Sequence, residues 1–65
     1  MTKTERENWL CNIQETATLV ARQTGWGPVE SVLKRYGASN IEKLNPGDYP
    51  AVFSDLYAIE ADTRD

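Results

Sequence analysis

The sequence predicts an all-α fold, a three-helix bundle with a short connecting helical turn. Three observations carry that prediction. Apolar residues recur at helical spacing in three segments, so each segment has one stripe to bury. Clusters at Gly25-Trp-Gly-Pro28, around Gly37 and at Asn45-Pro-Gly-Asp48 punctuate the intervals between them. No segment sustains the period-two alternation of a half-buried strand. Helices are expected at about 4–24, 28–36 and 50–62, with a short one at about 40–44.

In the first helix, Thr4 and Glu7 have capping-box spacing, and so do Thr2 and Glu5, which leaves the start open by a turn. Trp9, Leu10, Ile13, Ala17, Val20 and Ala21 fall on one stripe, and Gly25 is the natural stop. Thr16, Thr18 and Thr24 lower helix propensity, so packing must hold the second half together.

Pro28 suits the first position of the second helix, where its missing N–H would have no helical partner. Val29, Val32, Leu33 and Tyr36 share a face, while Glu30 and Lys34 point away in the favourable order for an i,i+4 pair. Gly37 ends this helix in a left-handed conformation.

Ser39 and Glu42 have capping-box spacing at the next short turn, in which Ile41 and Leu44 face inward. Asn45-Pro-Gly-Asp48 is turn chemistry, and Pro46 can open a helical turn capped by Asn45. Pro50 disfavours α geometry at Tyr49, so the last helix is expected to begin at Pro50. Its stripe is Val52, Phe53, Leu56 and Ile59, with Tyr49 just before it, and the Arg64-Asp65 end is expected to fray. The expected core comprises Trp9, Ile13, Val20, Val32, Leu33, Leu44, Phe53 and Leu56.

At 65 residues the chain is one domain, 1–65, with little core to spare for a strained active site. A hydrophobic fraction of 40% and a charged fraction of 26% place it among soluble globular proteins. No apolar run approaches the ~20 residues of a membrane span, and the charged start lacks a secretory signal core. One cysteine, Cys11, makes no internal disulfide, which fits a reducing cytoplasm. With no histidine, zinc sites and histidine-activated nucleophiles are excluded. Nor is there a glycine-rich phosphate loop or a G-x-S-x-G elbow. The expectation is therefore a protein that is not an enzyme and needs no metal or cofactor.

The net charge of -3 is uneven. Residues 1–47 hold six cations and five carboxylates, whereas residues 48–65 hold one cation and five carboxylates. The acidic last segment disfavours a nucleic-acid backbone on that face.

Six groups of side chains are candidates for interaction or chemistry. Trp26, between two glycines, is either an exposed anchor for a partner or a lid over the open end of the core, and the scarcity of core favours the lid. Cys11 and Leu19 lie off the main stripe with Thr18, where they are either a contact for a partner or second copy, or scattered surface apolar groups. Lys34, Arg35 and Lys43 cluster around the Gly37 turn as a possible DNA-facing corner. Against that, the element after the turn is short and must bury Ile41 and Leu44. Glu60 lies at the edge of the last stripe, where its stem is expected to pack and its carboxylate to reach water. Asp48, Asp55 and Asp62 form an acidic surface without calcium-loop spacing. Tyr36, Tyr49 and Tyr57 are expected at the core edge with hydroxyls in solvent.

The stretch from Tyr36-Gly-Ala-Ser-Asn-Ile-Glu42 through Phe53-Ser-Asp-Leu-Tyr-Ala-Ile-Glu-Ala-Asp62 combines a helix ending in Tyr-Gly, a short capped turn, a Leu-x-Pro-x-x-Tyr step and an acidic final helix. It resembles small helical proteins of phages and conjugative elements of Firmicutes over about the last half of the chain. The resemblance is structural, carries no catalytic residue over, and implies a cytoplasmic accessory protein of a mobile element. The expected function is a noncatalytic interaction module for a protein partner or a second copy. Nucleic-acid binding through Lys34, Arg35 and Lys43 is the alternative, and no membrane is involved.

Overall fold

A computed structural model describes residues 2–63 of the chain. The expected fraying at Arg64-Asp65 lies outside the described residues. The all-α prediction holds. Helix α1 spans Lys3–Thr24, α2 spans Gly27–Arg35 and α3 spans Tyr49–Thr63, with 3-10 turns at Ile41–Lys43 and Pro46–Asp48 between α2 and α3. There is no strand among the described residues. No helix among them is long and apolar enough to cross a membrane.

Of the two candidate starts for α1, the earlier one operates. Thr2 is the N-cap, its Oγ1 accepting from the Glu5 N–H at 3.2 Å while the same hydroxyl lies 3.2 Å from Glu5 Oε1. The threonines that lower propensity are accommodated by local bonds. The Thr16, Thr18 and Thr24 hydroxyls donate to the carbonyls of Asn12, Gln14 and Val20 at 2.9, 2.9 and 3.0 Å. Gly25, at φ 88°, then ends the helix with its N–H on the Ala21 carbonyl.

Helix α2 begins one residue before Pro28 and ends in a Schellman motif. Gly37, at φ 71°, donates to the Lys34 carbonyl, and Ala38 donates to the Leu33 carbonyl, both at 3.0 Å. This closure commits Ala38 to the helix end and packs it, 4% exposed, into the core. The cap of the next turn is therefore Asn40, not the expected Ser39. Asn40 Oδ1 accepts from the Lys43 N–H at 3.0 Å, and the element is a single 3-10 turn of three residues instead of a helix over 40–44.

Asn45 caps the following turn through a 3.1 Å bond from the Gly47 N–H. Tyr49 departs from expectation. It takes α geometry, φ -53° and ψ -50°, directly before Pro50, and so begins α3. The pre-proline position is disfavoured in the α region, not forbidden. Here full burial of the Tyr49 ring offsets that penalty, and Pro50 sits where a helix needs no N–H partner.

One core joins the three helices with Ala38 and Leu44 of the connecting segment, and α1 packs most extensively along α3. Ile13, Val20, Val32, Leu33, Leu44 and Leu56 are buried as expected. Trp9 and Phe53 are not central. They pack edge to face at the margin, ring centroids 6.0 Å apart and planes at 70°. Tyr49, Val52, Val29 and Ala17 fill the centre instead. Tyr49 is 0% exposed and its hydroxyl is enclosed without a hydrogen-bond partner among the described residues, which corrects the solvent-facing expectation. Tyr57, 52% exposed, does face solvent. Glu60 is also buried, at 7% exposure, because it continues the Tyr49, Val52 and Leu56 row at i+3 and i+4 steps. Its stem packs as expected, and only this small fraction of the residue is left in contact with water.

Candidate functional site

The Gly25-Trp-Gly27 loop sets Trp26 at the head of α2, where its backbone carbonyl accepts from the Glu30 N–H at 2.9 Å. The side chain stays 55% exposed, so Trp26 is not the lid that core scarcity suggests. Val29 and Leu33, farther along α2, are buried in the core while Trp26 is not part of it. The indole instead borders an open groove of about 600 Å³ between α1, α2 and the first 3-10 turn. Its apolar lining comprises Leu10, Val29, Leu33 and Ile41 as well as Trp26. Gln14, Ser39 and Asn40 supply neutral polar groups, and Glu30 and Glu42 are the charged residues of the wall.

A second hollow, about 490 Å³, lies on the outer side of α1 and contains Cys11 and Leu19 together. Helical spacing aligns Cys11, Glu15, Thr18 and Arg22 along it, with Leu19 and Gln14 on either side. The Cys11 thiol is exposed and donates to Glu15 Oε1 at 3.7 Å. Leu19 is 46% exposed. Gln14 borders both hollows, so the two groups singled out from sequence are neighbours without sharing one site.

Lys34, Arg35 and Lys43 are all exposed, the first two in the last turn of α2 and the third at the end of a 3-10 turn. A three-residue 3-10 turn provides no recognition helix for a major groove. None of the three cations lines either hollow. On the opposite side of α2, the Tyr36 hydroxyl donates to Asp55 Oδ2 at 2.7 Å. That hydrogen bond, with partial burial and the negative charge of Asp55 adding to it, raises the Tyr36 pKa above its ordinary value.

Among the described residues there is no cluster of three acidic, cysteine or histidine side chains that could hold a metal ion. The groove components that sequence reasoning missed are Glu30, Glu42 and the exposed edges of Leu10 and Ile41. Val29, Leu33 and Ile41 read in sequence only as core positions. The signal available was Trp26 itself, an aromatic between two glycines. Comparison with protein-family models, curated proteins and solved structures finds no match for this chain.

Proposed function

We propose that this domain is a noncatalytic protein-interaction module that engages its partner through the groove beside Trp26. The observation that carries this reading is a half-exposed tryptophan bordering an apolar concavity on a domain with little core to spare. Tryptophan anchors of this kind concentrate binding energy because a large rigid ring loses little entropy on docking. The resemblance in residues 36–62 adds an accessory role in a mobile element, in the cytoplasm. The test compares wild-type protein with Trp26→Ala in capture from the source cell and in sedimentation. A retained protein, or a dimer, that is lost in Trp26→Ala supports the reading. A strict monomer that retains nothing overturns it.

A second reading rests on the exposed Lys34, Arg35 and Lys43 corner, which would contact nucleic-acid phosphates. Titration of labelled DNA and RNA decides it. The electrostatic contribution is largest at low salt, so absence of binding there removes this reading.

A further inference from the structure

We infer that the occupant of the Trp26 groove is a cationic, apolar-bearing segment of a partner protein, an assignment that rests on the interaction reading above and specifies its chemistry. The charged residues of the groove wall are carboxylates, Glu30 from α2 and Glu42 from the 3-10 turn. Neither carboxylate is engaged in an ion pair or a side-chain hydrogen bond among the described residues. The floor is apolar, and the indole face of Trp26 attracts cations through its quadrupole. An apolar side chain on the floor therefore leaves a lysine or arginine beside it facing a wall that carries the two carboxylates and the indole. A purely apolar segment would desolvate Glu30 and Glu42 without compensation. An acidic segment would be repelled by the two carboxylates of the wall. The volume of about 600 Å³ accommodates a few side chains of such a segment, not a folded domain.

The test is calorimetric titration with a short capped peptide of alternating leucine and lysine, beside the same peptide with glutamate for lysine. The lysine peptide binds, more weakly as salt rises, and the glutamate peptide does not. Glu30→Gln and Glu42→Gln each weaken binding about two- to fivefold, the range of exposed ion pairs. Trp26→Ala weakens it about tenfold or more. Asp62→Asn, which changes an exposed carboxylate on α3 outside the groove, leaves affinity unchanged. The inference is overturned if the lysine peptide fails to bind, if both peptides bind equally, or if Asp62→Asn weakens binding as much as the groove variants. A Trp26-dependent partner or dimer found alongside any of those results leaves the interaction reading standing and removes only the cationic assignment. Peptide failure together with a monomer that retains nothing removes both.

Discussion

The Tyr36 hydroxyl donates a 2.7 Å hydrogen bond to Asp55 Oδ2, joining the end of α2 to the middle of α3 across 19 residues of sequence. The bond favours the neutral phenol, so the Tyr36 pKa is raised from its ordinary 10.0. A raised folded-state pKa gives stability that is fully present below pH 10.0 and is lost as pH climbs through the folded value. Tyr36→Phe is expected to lower the melting temperature at neutral pH and to reduce the alkaline loss. Melts of both proteins across neutral and alkaline pH check it. Parallel pH profiles would show that the bond contributes nothing to folding.

Tyr49 presents the reverse situation. Its ring fills the core, but its hydroxyl is enclosed without a partner among the described residues. An unsatisfied buried donor costs about 1–3 kcal/mol. Tyr49→Phe keeps the ring and is expected to stabilise by about 1 kcal/mol, a rise of about 4–8 °C in melting temperature for a domain of this size. Chemical denaturation measures it. A destabilised variant would mean that the hydroxyl makes a bond in solution.

Gly37 and Gly27 separate conformational need from simple space. An added Cβ meets nothing within 4 Å at either position, but only Gly37 of the two has positive φ, at 71°. Gly37→Ala is expected to cost about 1–2 kcal/mol from left-handed strain. Gly27→Ala, inside the first turn of α2, is expected to gain about 0.5 kcal/mol by restricting the unfolded chain. Equal effects in urea denaturation would contradict the Schellman assignment.

Trp26→Ala tests whether the indole serves binding or folding. With more than half its surface in solvent, its loss is expected to change stability by no more than about 0.5 kcal/mol. Trp9→Ala removes a ring packed against the core and is expected to cost more, about 2 kcal/mol or above. Guanidinium denaturation of both variants distinguishes the two roles. Comparable losses would return Trp26 to a place in the core.

Much of the secondary structure was legible because its determinants lie within a few residues of one another. Thr2 with Glu5, Pro28, Gly37 and Asn45 each act over a single turn of chain. The stripes of α1 and α3 likewise depend on nothing but helical periodicity. The site was less legible. Trp26, Cys11 and Leu19 stand out as residue types, but the groove is assembled from α1, α2 and a 3-10 turn, and no local pattern reports how those elements meet.

What the sequence alone determined about this protein is its all-α class, the approximate span of its helices and the glycine that closes α2. Only the tertiary structure decided that Tyr49 lies inside, that Ala38 completes the core, and that Trp26 is left outside. The physical reason is the range of the interactions involved. Caps and stripes follow from neighbours along the chain. Burial follows from how the helices pack against one another, which no neighbour along the chain reports, and that packing encloses Val29, Leu33 and Leu44 while it leaves Trp26 in solvent.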